Sequence, residues 1–410
     1  MPNSITIRLC LMMFLNFVIW GCWYVTIGTY LTATLKFSGT QAGAVFGTTA
    51  LASMISPLFV GLIADRFFST ERVLAAIHLL GALLLYTVTR VTSFGAVYAL
   101  MFFYCLLYFP TLALTTSITL KNLADARRFP LIRVFGTIGW IVVGLAIGKL
   151  GIEASATPFR IASAASASMG VFCLFLPHTP PVNKGRAISV REMLGFDALV
   201  MLKERAYSVF LIASVLACIP LTFYFSFTNA FLNDVGVVNA AGKMTLGQFF
   251  EVLMMLLMPF IFKRLSVRGI LLLGLAAWSL RYALLAFGNA NDRMWMFYLA
   301  IIIHGVCYDF FFMTGQLYTD QEAPMASRNT AQGLYTFATY GVGMFIGSLL
   351  SGVALDFFST NTAHGVARNW TSFWISSSAA AFLLFIVFAF LFKDRRMIQK
   401  QEDVALAEVA

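Results

Sequence analysis

The sequence contains few charged residues. Of its 410 residues, 11% are Asp, Glu, Lys or Arg and 60% are hydrophobic, and the mean hydropathy is +0.83. Average soluble domains carry about 25% charged residues, so this composition excludes an ordinary soluble domain and predicts an integral membrane protein. A helical span needs roughly 20 apolar residues, so the chain accommodates about twelve spans and leaves little for a soluble domain.

Several other signals are missing. All six cysteines lie in or beside apolar segments, which excludes a disulfide framework in an external loop. The sequence has no metal-ligand spacing, phosphate-binding loop or nucleophile elbow. We therefore predict that the protein is not an enzyme and holds neither a metal nor a cofactor.

The positive charges follow a topological pattern. A net charge of +10 would also suit a nucleic-acid-binding protein, but the placement of the charges argues against that partner. With twelve spans and a cytoplasmic N-terminus, 19 of the 28 lysines and arginines fall inside, seven outside and two within spans. This asymmetry predicts a multi-pass protein of the lipid bilayer with both termini in the cytoplasm.

The apolar segments are arranged as six plus six. We predict an N-terminal six-helix half over residues 1–177 and a C-terminal six-helix half over 206–393, with a cytoplasmic tail over 394–410. The cytoplasmic linker, 178–205, contains an amphipathic run at 193–202 that is predicted to lie on the membrane surface. A duplicated architecture of this kind places a substrate site where the halves meet. The predicted spans are 8–32, 41–64, 73–91, 95–119, 129–150, 159–177, 206–232, 244–263, 269–289, 293–318, 329–354 and 370–392.

Small residues and prolines mark several spans. Gly144 and Gly148 in the fifth span, and Gly343 and Gly347 in the eleventh, are spaced four residues apart, which allows close helix contact for packing or for sliding between states. Four prolines are each predicted to bend or interrupt a span: Pro57, Pro110, Pro220 and Pro259.

Two acidic residues, Glu251 and Asp309, lie inside apolar segments, whereas the other 16 of the 18 lie in connecting segments or at helix ends. A carboxylate at hydrocarbon depth costs several kcal/mol unless it is paired, hydrated or protonated, so such acids usually mark an ion, proton or substrate path. Their positions predict a proton-coupled transporter.

The eighth and tenth spans carry the polar groups closest to these acids. Gln248 and Glu251 are three residues apart and share a helix face, so they suit a ribose or other sugar, or else a structural hydrogen bond between helices. His304 and Tyr308 share a face that is predicted to point toward ligand, whereas Asp309 points about 100° away from Tyr308. Asp309 is therefore predicted to carry the proton or, alternatively, to pair with a basic residue such as Arg281.

The fifth span carries a third set of candidate site residues. Arg133, Thr137 and Trp140 lie on one stripe and could form a wall of the site, although Arg133 is near enough to the span end to snorkel toward water. Aromatic residues in the first and seventh spans could stack a flat base or sugar face, or simply pack: Trp20, Trp23, Tyr24 and residues 223–227.

Two levels of family resemblance follow from these motifs. The run GLIADR at 61–66 resembles a loop motif of the major facilitator superfamily. IRVFGTIG at 132–139, Gln248 with Glu251, and YDFF at 308–311 resemble the bacterial nucleoside:proton symporters of that superfamily. The runs MTLGQ at 244–248 and HGV at 304–306 are most similar to the YegT-like branch.

The resemblance implies an all-α, twelve-helix facilitator fold in two halves and proton-driven nucleoside uptake across a bacterial inner membrane, by a functional monomer that works by alternating access. It implies a ligand site formed by Arg133, Thr137, Trp140, Gln248, Glu251, His304 and Tyr308. Asp309 and Glu251 are the implied proton-coupling residues, and Gly61, Asp65 and Arg66 form the implied conformational motif.

Departures from the family pattern concern the substrate. Thr222 and Phe225 are also implied substrate-binding residues, but they stand at positions where well-known members have a glutamine and an asparagine, and His304 replaces a tyrosine. These changes keep two alternatives open. One is a sugar or glycoside:proton symporter of the same fold, and the other is a membrane receptor that binds such ligands without moving them.

Overall fold

The computed structural model describes residues 4–66, 68–123, 125, 128–180, 196–363 and 365–393. Long helices account for most of these residues. The helices of the first half are α1 Ser4–Thr34, α2 Gly39–Arg66, α3 Thr70–Val88, α4 Phe94–Asn122, α5 Phe129–Leu150 and α6 Thr157–Phe175.

The second half repeats this arrangement. Its helices are α7 Arg205–Asp234, α8 Ala240–Phe262, α9 Val267–Phe287, α10 Met294–Ile302 continued by His304–Glu322, α11 Arg328–Thr336 continued by Phe337–Gly343 and Met344–Phe357, and α12 Trp370–Leu391. A short antiparallel hairpin, β1 Ser359–Thr362 and β2 Gly365–Arg368, connects α11 to α12.

Within the described residues, ten helices are long and apolar enough to cross a membrane, and the bent pair that forms α10 makes an eleventh span. With 28 residues, α2 also has the length of a span. Every predicted segment agrees with its helix to within four residues at either end. The predicted twelve-helix architecture is therefore confirmed.

Local chemistry accounts for several helix ends. Ser266 begins α9, because its hydroxyl accepts a hydrogen bond from the Gly269 N–H at 3.2 Å. The amide of Asn369 accepts from the Ser372 N–H at 3.0 Å and begins α12 in the same way. Gly151 ends α5 with a φ of 63°, a left-handed conformation that glycine adopts without strain.

The two halves meet closely on one side of the bundle. An even number of spans puts both chain ends on one side, here called the terminal side, and the opposite side is the far side. A Cβ at Gly43 of α2 would lie 2.4 Å from the Ser348 carbonyl oxygen of α11, and one at Gly148 of α5 would lie 2.4 Å from the Gly242 nitrogen of α8. Only glycine permits such approaches, so the small residues pack the halves together on the far side.

The helices deviate from regular geometry at positions that the sequence did not indicate. Three π-helical stretches lie within the described residues, at Tyr30–Thr34, Asp309–Met313 and Phe337–Gly343, and α10 bends by 41° after Ile302. Three of the prolines predicted to bend or interrupt spans lie within helices that continue past them: Pro110 in α4, Pro220 in α7 and Pro259 in α8. Single π turns inside α-helices are frequent at functional sites.

Some predicted features lie outside the described part of the chain. These are residues 181–195 of the linker, the tail 394–410, and the side chains of residues 56–66, which include Pro57 and the conformational motif Gly61, Asp65 and Arg66. The described end of the amphipathic run, Phe196–Lys203, is a 3-10 helix. Its exposed Leu199 and Val200 are compatible with a membrane-surface position, which stays a prediction.

Candidate substrate site between the two halves

Aromatic rings from both halves line a central cavity. Trp20 and Tyr24 of α1 pack edge-on against Trp140 of α5, with ring centroids 5.2 Å and 5.9 Å from that of Trp140. Tyr24 also contacts Phe225 of α7 across the interface, at 5.7 Å. The cavity lining includes Trp140, Phe225 and Gln248, so three predicted site residues from three helices face one space.

Further polar groups lie beyond Gln248 on α8 and on α10. Glu251 lies one turn beyond Gln248, and its side chain is 25% exposed. The Glu251 Oε2 atom lies 3.6 Å from Nε2 of His304, which α10 presents from the other side. The predicted shared face of Gln248 and Glu251 is thus directed to the same region as His304.

Arg133 lies on α5 of the first half. Its guanidinium lies 4.2 Å from the centroid of the Phe17 ring. Arg133 is half-buried, as is Thr137 one turn later on the same helix face. This position favours the site-wall interpretation of Arg133 over snorkelling toward water.

The ring of His304 lies among aromatic neighbours. It stacks on Tyr224 with a centroid distance of 5.6 Å and lies 5.9 Å from the ring of Tyr308. The hydroxyl of Tyr308 hydrogen-bonds with that of Tyr340 in α11. His304 and Tyr308 therefore share a face, as predicted, and Tyr308 also ties α10 to α11.

Asp309 is buried apart from these groups. It is 1% exposed and is the first residue of the π-helical stretch of α10. Its Oδ2 atom has no hydrogen-bond partner among the described residues. The alternative pairing with Arg281 is not formed in this structure, because the Arg281 guanidinium lies against His304 and Tyr224 instead. A buried oxygen without a partner is costly, which suits a carboxyl that exchanges a proton.

Several other aromatic and polar candidates lie away from the cavity. Thr222 is fully buried, and its hydroxyl donates to the Ile219 carbonyl oxygen at 2.7 Å while packing against Gly347 of α11. Trp23 is also fully buried, and its indole N–H donates to the Tyr104 hydroxyl. Both side chains pack helices together, whereas Trp20 and Tyr24 of α1 pack against Trp140, which lines the cavity.

A polar cluster that the sequence did not indicate lies on the far side. Glu153, in the loop between α5 and α6, is 3% exposed. Its Oε2 accepts hydrogen bonds from the side-chain amides of Asn229 at 2.7 Å and Asn233 at 2.8 Å, and its Oε1 accepts from the Ala241 N–H at 3.0 Å. Thr29 of α1 donates to the Asn229 Oδ1. Glu153 therefore links the first half to α7 and α8.

A second acid, Asp356, links α11 to the start of α2 on the far side. The Asp356 carboxylate accepts hydrogen bonds from the backbone N–H groups of Gly39 at 2.5 Å and Thr40 at 2.8 Å. These groups begin α2, where a negative charge is favourable. Neither Glu153 nor Asp356 stood out in the sequence, because both lie at the boundaries of apolar segments, where acids are common.

Comparison with known proteins identifies the family. Residues 3–397 match the family described as nucleoside H+ symporter. The chain belongs to this family. The predicted proton-coupled nucleoside transport is thereby confirmed, and the family is one of transporters rather than enzymes.

Individual relatives agree with this assignment over nearly their whole length. The chain is 40% identical to the Escherichia coli (strain K12) protein YegT over 401 residues, which is 95% of this chain and 94% of YegT. It is 34% identical to the xanthosine permease of the same organism over 406 residues, covering 95% and 96%. A crystal structure of the nucleoside transporter NupG superposes with a TM-score of 0.88 at 30% identity, covering 96% of this chain and 100% of that chain.

Proposed function

We propose that this symporter takes up nucleosides together with protons by alternating access, with the aromatic cavity between its halves as the substrate site. The observation that carries the proposal is a cavity lined by two groups of residues, Trp140 from the first half and Phe225 with Gln248 from the second half. A ligand that contacts both groups would be sensitive to the distance between the halves. Rocking of the halves would then change its affinity and its access to either side.

The chemistry of the cavity supports a nucleoside ligand. Trp140 and Phe225 offer flat apolar faces on which a base can stack. Gln248 supplies an amide donor and acceptor, and the Glu251 carboxylate accepts hydrogen bonds from hydroxyl groups. We assign the base to the aromatic end and the ribose to Gln248 and Glu251.

Two carboxyl groups are available for the proton. Asp309 is buried, with one oxygen that has no hydrogen-bond partner among the described residues, and Glu251 is partly exposed and lies 3.6 Å from His304. We assign coupling to Asp309 and ligand-linked proton exchange to Glu251. The alternative would make Asp309 purely structural, and its unpartnered oxygen argues against that role.

The membrane setting follows from the charge distribution. We place the protein in a bacterial inner membrane with the terminal side in the cytoplasm, because 19 of the 28 lysines and arginines lie there. The far side, closed by Glu153 and Asp356, then faces the periplasm. We propose that one chain is the functional unit, because the cavity is lined by both halves of a single chain.

Transport by the purified protein in liposomes tests this function. An inward proton gradient should drive accumulation of at least one labelled purine or pyrimidine nucleoside, and a protonophore should abolish it. Accumulation of simple sugars without nucleosides would transfer the assignment to a sugar or glycoside symporter. Nucleoside binding without counterflow would instead indicate a receptor and would contradict the transport mechanism.

A further inference from the structure

Among the described residues, Arg281 is a buried cation without a carboxylate partner. It lies in α9, is 1% exposed, and forms no ion pair within the described part of the chain. Its Nη1 lies 2.9 Å from the Nδ1 atom of His304, and its guanidinium carbon lies 3.3 Å from the centroid of the Tyr224 ring. Burial of an unpaired charge costs free energy, so the presence of an arginine at this position calls for an explanation, which its two contacts provide.

The contact with Arg281 determines which nitrogen of His304 carries the proton. A guanidinium group has only donors, so Nδ1 of His304 must accept this hydrogen bond and cannot itself bear a proton. The neutral ring therefore carries its proton on Nε2. The opposite tautomer, and the doubly protonated ring, would each place an N–H against the N–H of Arg281.

This tautomer directs a hydrogen-bond donor toward Glu251. The Nε2 atom lies 3.6 Å from Oε2 of Glu251, which is longer than a hydrogen bond, so both atoms keep the capacity to bind a third group. One hydroxyl oxygen can lie about 2.8 Å from each of them. It would accept a hydrogen bond from Nε2–H and donate one to Oε2, so that both polar atoms are satisfied.

We propose that Arg281 is a positioning residue for substrate recognition, which fixes the Nε2–H tautomer of His304 so that His304 and Glu251 together recognise one hydroxyl group of the transported nucleoside. The proposal rests on the proposed role of the cavity as the substrate site. It assigns a function to a residue outside the cavity, because Arg281 acts through His304 and makes no contact with the ligand.

The tautomer is measurable without any ligand. The full-length protein, labelled with ¹⁵N-histidine and held in lipid nanodiscs, contains four histidines, and His304→Gln assigns the His304 signals by their loss. Wild type should show an unprotonated Nδ1 and a protonated Nε2. Arg281→Lys, which keeps a cationic donor, should preserve this pattern, whereas Arg281→Met should lose it. A protonated Nδ1 in the wild type would overturn the proposal.

Binding measurements test the consequence for recognition. Equilibrium affinities would be compared for a nucleoside and its 2′-, 3′- and 5′-deoxy analogues. The wild type should bind one of these analogues at least about tenfold more weakly than the parent nucleoside. The missing hydroxyl of that analogue leaves a buried donor and a buried acceptor unpaired. Arg281→Met should lose most of this discrimination. The control Arg268→Met removes a cation from the same helix, where its guanidinium bonds to the Ala389 carbonyl oxygen, and should keep it.

A double-mutant cycle separates positioning from a general effect on folding. In His304→Gln the side-chain amide can supply an N–H near the place of Nε2 without a tautomer to choose. Adding Arg281→Met to His304→Gln should therefore change the discrimination little. An equal loss in both backgrounds, or full discrimination in Arg281→Met alone, would refute the positioning role. Failure of the wild type to bind any nucleoside would refute the nucleoside assignment. The NMR experiment would still show which tautomer His304 adopts, because it needs no ligand.

Discussion

The carboxylate of Glu153, in the loop between α5 and α6, accepts a hydrogen bond from the side-chain amide of Asn229 in α7 at 2.7 Å, and so joins the two halves on the far side. Asn229 has one amide orientation that satisfies both of its partners, because its oxygen accepts from Thr29 while its nitrogen donates to Glu153. With Asn233 and the Ala241 N–H, three donors converge on one buried acid. Rocking of the halves must break this cluster before the far side can open.

Glu153→Gln should favour opening of the far side. The amide replaces one acceptor oxygen by a donor that faces other donors, which costs about 1–3 kcal/mol. A coupling of that size changes the ratio of closed to open states roughly five- to 150-fold. Spin labels at the exposed positions Lys36 and Val238, in a background without the six native cysteines, should report a larger population of long distances.

Asp292→Asn is the matched control for Glu153→Gln. Asp292 is an exposed acid in the connection between α9 and α10, so its substitution removes the same charge from the same side of the molecule. The distance distribution of this variant should equal that of the parent protein. If Glu153→Gln also leaves the distribution unchanged, Glu153 does not stabilise the closed far side.

Gly43→Ala should also disfavour closure of the far side. The added Cβ would lie 2.4 Å from the Ser348 carbonyl oxygen and 2.9 Å from the Gly352 Cα, both of which belong to the backbone of α11 and cannot move aside cheaply. Gly95→Ala is the control, since no atom lies within 4 Å of a Cβ at that position. Equal spin-label distances in both variants would show that the contact between α2 and α11 tolerates a methyl group.

Features of single helices could be predicted from the sequence. Periodicity placed Gln248 and Glu251 on one face of α8, and His304 and Tyr308 on one face of α10, because the side-chain direction depends only on the spacing along one helix. The structure directs both pairs toward the same region. The helix boundaries could also be predicted from the sequence, since the apolar length of a span is determined by the bilayer.

Contacts between helices could not be predicted from the sequence in this way. Arg281 and His304 are 23 residues apart and Glu153 and Asn229 are 76 apart, so their contacts depend on how helices pack, which no spacing rule describes. Thr222 is the clearest departure, because it faces Gly347 of α11 rather than the cavity. The π-helical stretches also have no signal in the sequence, since no proline lies within them.

Glu251→Gln should weaken nucleoside binding about tenfold or more. The substitution keeps the size of the side chain but removes its negative charge, and hydrogen bonds to a charged group are worth about 1.5–3 kcal/mol. Equilibrium binding to the purified protein would measure the change. Asp320→Asn, which removes an acid that lies 3.7 Å from Arg328 on the terminal side, should bind as the wild type does. Unchanged affinity in Glu251→Gln would remove Glu251 from the site.

Asp309→Asn should separate substrate exchange from proton coupling. The side chain keeps its size within the buried start of the π-helical stretch, but an amide cannot bind and release a proton. Counterflow of nucleoside across proteoliposomes should therefore continue at a similar rate, whereas accumulation driven by a pH gradient should be lost. Asp320→Asn on the same helix should retain both activities. Normal accumulation by Asp309→Asn would exclude Asp309 as the coupling residue and would leave Glu251 as the other candidate for proton exchange.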